Sequence, residues 1–177
     1  VNLQASLASS ARQSASSKMD DREKMKCPGS DSQWFDVRNF GAVGDGKHDD
    51  ANAALAATSC AVAAGGGIVY FPPSERSSTT WINYVIGHEI DLPDTNSAYV
   101  SWVLGASLLV NGTIHLKSYY SVIGQPGPGP AHTAPFGTDP VTYVSGKANP
   151  IFKAYSQHSI KLSHLLISTM DTDPNVD

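Results

Sequence analysis

Trp34-Phe35-Asp36-Val37-Arg38-Asn39-Phe40-Gly41-Ala42-Val43-Gly44-Asp45-Gly46-Lys47-His48-Asp49-Asp50 is the stretch on which the fold turns. Phe35, Val37 and Asn39 alternate with Asp36 and Arg38, the period of two expected of a half-buried strand. Gly41, Gly44 and Gly46 then bracket a turn, because glycine tolerates backbone angles closed to other residues. Asp49 and Asp50 stand where a helix would begin, since a carboxylate there accepts bonds from the first free amides and meets the positive end of the helix dipole. Asp45, between two glycines, reads as a turn residue.

The sequence beyond that corner continues in the same terms. Ala51 to Ala64 is an alanine-dominated run stopped by Gly65-Gly66-Gly67, which predicts a short helix with Leu55, Val62 and Cys60 facing inward. Ile68-Val69-Tyr70-Phe71 reads as a buried strand that Pro72-Pro73 ends. Tyr84-Val85-Ile86-Gly87, Val103-Leu104 and Ser107-Leu108-Leu109-Val110 are further short strands, the last two parted by Gly105. Ile114, Leu116, Tyr120 and Val122 are spaced i, i+2, i+6, i+8, and Ile160, Leu162, Leu165 and Ile167 are spaced i, i+2, i+5, i+7. Each half keeps a strand period and the phase shifts between halves, as where a strand bends round the corner of a coil. Between them, residues 125–150 form a Pro/Gly-rich loop containing Val141-Thr142-Tyr143-Val144 as a candidate strand. Residues 1–30 are a polar arm, either mobile or ordered by assembly, and residues 31–177 form the folded domain.

Bulk properties narrow the function. The 177 residues carry 12 Lys and Arg against 16 Asp and Glu, a net charge of -4, with no dense basic stripe, so nucleic acid and acidic membrane surfaces are poor partners. No apolar run is long enough to span a bilayer, and no basic start followed by an apolar run marks a signal peptide. Cys27 and Cys60 lack the spacing of a metal or redox motif. One exposed and one buried thiol is the expectation, with a Cys27–Cys60 disulfide as the rival.

The stretch from Phe35 to Gly46, the Asp49-Asp50 pair, the alanine-rich helix, Gly65 to Pro73, Thr113-Ile114-His115-Leu116-Lys117-Ser118 and Val122-Ile123-Gly124 resemble one known group. It is the N-terminal part of the pectate-lyase-like, right-handed parallel β-helix superfamily, which includes polygalacturonases, fungal exo-glucanases and phage tailspike depolymerases. The resemblance covers residues 34 to about 124. It implies a mainly β fold: the start of a right-handed parallel β-helix in which the alanine-rich segment is an N-terminal capping helix. The long path from Ser74 departs from the family pattern, so residues 74–111 read as an inserted region.

Asp45, Asp49 and Asp50 resemble the paired carboxylates of glycoside hydrolysis, but cap and turn roles explain them better, and the resemblance implies catalytic residues on later coils. No catalytic residue is therefore expected among the first coils. Trp81, Tyr84, Tyr99 and Trp102 are candidate carbohydrate contacts, with packing of the insertion as the alternative. His158 and His164 bracket one strand and could approach a neighbouring coil. Asp171, Asp173, Thr169 and Thr172 read as a polar loop, with a divalent cation as the rival occupant, and no other cofactor is expected. Asn111-Gly112-Thr113 fits a glycosylation sequon, though Asn-Gly is first of all a turn.

The resemblance and the polar arm together imply a tailspike or tail-fibre protein of a virion. It would recognise, or depolymerise, host surface polysaccharide, form a homotrimer and join other particle proteins through its arm, in a virion or extracellular setting. Two alternatives stand beside it. One is a secreted polysaccharide lyase or glycoside hydrolase with catalytic coils beyond residue 177, and the other is a non-catalytic structural particle protein.

Overall fold

A computed structural model describes residues 27–73, 84–125 and 142–169. Trp81, Asp171 and Asp173, nearly all of the arm and most of the Pro/Gly-rich loop lie outside these residues. The described chain is mainly β, with one α-helix and three sheets in which every strand pairing is parallel.

The opening stretch begins as strand β1 (Trp34–Asp36) and passes through a 3-10 turn (Val37–Phe40) into the glycine corner. Helix α1 (Ala51–Ala63) follows, then β2 (Gly67–Phe71), which pairs with β1. From β2 onward the strands return in a fixed rotation. β2, β5 (Val100–Leu104), β8 (Tyr120–Gly124) and β11 (Lys161–Ser163) join β1 in sheet A. β3 (Tyr84–Ile86), β6 (Leu108–Val110), β9 (Thr142–Gly146) and β12 (Leu165–Thr169) make sheet B. β4 (Ile90–Asp91), β7 (Ile114–His115) and β10 (Phe152–Lys153) make sheet C. Each passage through A, B and C is one coil, laid in register on the one before.

Register explains the core. Phe35, Val69, Trp102 and Val122 are Cα partners across sheet A and all are buried, and Tyr84, Leu108 and Val144 form the equivalent row in sheet B. Each such large side chain contributes roughly 1.5–3 kcal/mol by leaving water. Ile114, Leu116, Tyr120 and Val122 are all buried, and the phase shift between the pairs falls at Ser118-Tyr119, where Tyr119 has φ 67°. The second set, Ile160, Leu162, Leu165 and Ile167, turns at His164 (φ 56°).

Two expectations need correction, while the region read as inserted is seen in part. Residues 84–111 supply β3 to β6; β5 and β6 pair on both sides, whereas among the described residues β3 pairs only with β6 and β4 only with β7. Their strands are too short, and Val103 at an outward position too apolar, for the alternation of buried Val100, Trp102 and Leu104 to stand out. The inward face of α1 is Ala51, Ala53, Ala54, Ala57, Thr58 and Ala61, whereas Leu55, Cys60 and Val62 are only half-buried. Small side chains let the helix lie close enough for Trp102 Nε1 to donate to Thr58 Oγ1 at 3.0 Å. Finally, Cys27 and Cys60 are joined in a disulfide, with Cα atoms 5.7 Å apart, because the turn before β1 folds back onto α1.

Candidate functional site

The three aspartates of the glycine corner sit close in sequence but serve different backbone segments. Asp45 accepts from the amides of Lys47 (2.8 Å) and His48 (2.7 Å), and the His48 bond, with that of Lys47, holds its carboxyl below the ordinary value. Asp49 Oδ1 accepts from Ala51 N–H at the helix start (3.0 Å) and from Gly87 N–H (2.8 Å), while its Oδ2 meets His88 Nδ1 at 2.7 Å. Burial pushes the Asp49 carboxyl up, but the Gly87, His88 and Ala51 bonds outweigh it and leave the group below its usual range.

Asp50 departs from the cap expected of it. Its side chain makes no bond to the helix amides. Instead, Oδ1 accepts from Val43 N–H (2.7 Å) and Oδ2 from Val85 (3.3 Å) and Gly44 (3.4 Å), which ties the corner to β3. Burial is the largest influence on Asp50 and pushes its carboxyl up despite these three amides. Gly44, at φ 65°, could not carry a side chain, since a Cβ would come within 2.8 Å of the Tyr84 ring. Gly41 (φ 100°) ends the 3-10 turn, and Gly46 (φ 74°) follows Asp45. This corner is a built structural joint, with its carboxylates occupied by main-chain donors.

Two of the aromatic candidates are interior. Trp102 is 0% and Tyr84 1% exposed, both packed on Phe71, and the Tyr84 hydroxyl donates to Pro72 O at 3.0 Å. Burial raises the Tyr84 phenol well above its ordinary pKa. Neither ring can meet a sugar, because their inward register in sheets A and B places them in the core. Trp81 lies outside the described residues. Tyr99, by contrast, is 67% exposed and is brought against Tyr119 of the next coil, which in turn meets His158 of the coil after that.

A second exposed group lies along sheet C and its flanks. His115 Nε2 is 2.5 Å from Glu89 Oε1, its Nδ1 is 3.8 Å from Asp91 Oδ1, and Lys117 Nζ is 3.9 Å from the same Asp91 oxygen. The register Asp91–His115–Lys153 sets these side chains one coil apart. An imidazole between two carboxylates, with an ammonium beside them, can hold or pass a proton and can meet a charged ligand. The residues are scattered in the sequence and become neighbours only through the coil repeat, so no local motif announces them. Among the described residues, no group of three His, Cys, Asp or Glu side chains is placed to hold a metal ion.

No family model matches the chain, and no solved structure does. A stretch of 41 residues, 23% of this chain, is 56% identical to mannuronan C5-epimerase AlgE6 of Azotobacter vinelandii. The same length is 54% identical to alginate lyase 7 and 56% identical to mannuronan C5-epimerase AlgE3 of that organism. The match spans 5% of AlgE6, 5% of the lyase and 2% of AlgE3.

Proposed function

We propose that the chain is the leading part of a right-handed parallel β-helix protein that acts on an acidic polysaccharide, with α1 closing the first end of the stack. The observation that carries this reading is the repeated passage through three parallel sheets in fixed order, which supports a solenoid. The helix packs on β1, β2 and β5, as a cap would. The substrate class is supported by the matched stretch, because mannuronan and alginate are both polymers of uronic acids.

A disulfide between Cys27 and Cys60 supports an oxidising, extracellular setting. Of the settings considered, the secreted polysaccharide-acting enzyme with its catalytic residues on other coils fits best, and the matched stretch adds an epimerase to the lyase among its candidate chemistries. The virion tailspike, its homotrimer and its particle partners rest on the sequence resemblance and the composition of residues 1–30.

Titration calorimetry of the purified chain against polymannuronate, alginate and neutral dextran tests the proposal. Saturable heats with the uronates and none with dextran are expected. Equal affinity for dextran, or no binding at all, would overturn the reading. Light scattering separates the settings: a monomer is expected of the secreted enzyme, and a trimer would restore the tailspike.

A further inference from the structure

We propose that Tyr99, Tyr119 and His158 form a sugar-stacking strip for a linear polysaccharide lying along the direction in which the coils stack. This rests on the polysaccharide reading above and gives it a place on the molecule.

The strip arises from the coil repeat. Tyr99 immediately precedes β5, Tyr119 immediately precedes β8, and His158 lies just before β11, so one ring stands at the same corner of three successive coils. The centroids are 5.2 Å apart for Tyr99–Tyr119 and 5.0 Å for Tyr119–His158, with the rings at 85° in both contacts. Tyr99 and His158 are exposed, while Tyr119 between them is half-buried, which makes a shallow aromatic trough open to solvent. An extended polymer advances by about one strand spacing per sugar, so successive sugar rings can meet successive coils. The electron-rich face of a tyrosine attracts the polarised C–H groups on the flat side of a pyranose, as it attracts other positive edges.

The trough is also held in place. Tyr99 O accepts from Gly67 N–H (3.1 Å), Tyr119 O from Val100 N–H (3.1 Å), and Tyr119 N–H donates to His158 O (3.2 Å). Ser118, beside Tyr119, receives the amide of His158 on its hydroxyl at 3.2 Å, and its own amide donates to Gln157 Oε1 at 2.7 Å. These bonds fix the main chain from which the three rings project, so the backbone of the trough has little to reorder on binding. Tyr119 occupies left-handed backbone, where glycine or asparagine would sit with less strain, so a large aromatic there is explained by what its ring does. A column serving only to brace the fold would bury its outer rings, and these two are open.

The experiment is calorimetric titration of the full chain, as wild type, Tyr99→Ala, Tyr99→Phe and Tyr119→Leu, with mannuronan oligosaccharides and with dextran oligosaccharides. Melting temperatures check that each variant is folded. Because the Tyr99 ring is exposed, Tyr99→Ala should stay folded near the wild-type melting temperature, yet bind mannuronan at least about tenfold more weakly, the loss expected when an aromatic anchor is truncated. Tyr99→Phe keeps the aromatic face and should recover most of the affinity that Tyr99→Ala loses. Unchanged affinity in both Tyr99→Ala and Tyr119→Leu, with wild type still binding mannuronan, overturns the strip and leaves the polysaccharide reading intact. Binding of dextran alone, lost in Tyr99→Ala, supports the strip and overturns the acidic specificity. A wild type that binds neither sugar overturns both.

Discussion

At the scale of single residues, Asp49 and Asp50 are adjacent carboxylates that folding moves in opposite directions. Folding raises the Asp50 pKa above its ordinary 3.8, so the folded state keeps that proton to higher pH than the unfolded chain does. Its contribution to stability is therefore full below 3.8 and declines as pH rises through the raised value. Asp49 is held below 3.8, so its contribution is full above that value and is lost as pH falls through the lowered one. Denaturant unfolding of wild type, Asp49→Asn and Asp50→Asn across this range should show the stability gap to wild type widening with pH for Asp49→Asn and narrowing for Asp50→Asn. Parallel curves would refute the assignment. Asp50→Asn also turns an amide group toward the N–H donors of Gly44 and Val85, and should cost about 1–3 kcal/mol per donor left unsatisfied. The carboxylates and glycines of this corner were visible in the sequence as caps and turns. That Asp50 reaches Val85 was not, because the bond spans 35 positions and depends on where β3 lies.

At the scale of elements, two joints decide how the pieces stack. The Cys27–Cys60 bond closes a loop with a sequence separation of 33 and fastens the approach to β1 onto α1. Cys60→Ser should lower stability by about 2–4 kcal/mol, mainly by freeing the unfolded chain, and reductant should have no further effect on the variant in a thermal melt. Gly112 lies where β6 gives way to β7, and a Cβ there would come within 2.0 Å of the His88 carbonyl carbon and 2.1 Å of Glu89 N on the coil before. Main chain cannot give as a side-chain tip can, so Gly112→Ala should cost about 1–3 kcal/mol and separate Glu89 from His115. The perturbation would be read in the chemical shifts of the His115 ring. The strand of the opening stretch and the alanine helix were legible because each carries its own period and stop. The strands between residues 84 and 111 were faint in the sequence because strands of two to five residues are too short to establish a period against interleaved Pro93, Gly105 and Gly112. The aromatic strip was legible only at Tyr99, since Tyr119 and His158 join it through stacking of coils whose lengths differ. The disulfide was underrated for a related reason: two cysteines far apart in sequence give no local sign that a turn folds one back onto the helix.

At the scale of the whole molecule, a stack of coils is stabilised by what each coil shares with its neighbours, so stability should vary along the stack. β5 is paired on both sides, by β2 and β8, and its Val100, Trp102 and Leu104 are fully buried. Among the described residues β11 and β12 each pair on one side, and their inward-register residues Leu162 and Ile167 are 42% and 43% exposed. In the same row as Trp102 and Val122, Leu162 is much less buried in this chain. At apolar burial on the order of 25 cal/mol per Å² these side chains gain less than those of β5, so in this chain β11 and β12 should open before the rest. Native-state hydrogen exchange should show the amides of β5 and β8 opening only with the whole domain, while those of β11 and β12 exchange through a smaller, denaturant-insensitive opening. Adding a saccharide that occupies the trough should slow exchange at Tyr119 and around His158 while leaving β12 unchanged, because the trough bridges to the last coil at that corner alone. Uniform protection from β5 to β12 would mean that these strands open as one unit and that β11 and β12 have no separate stability.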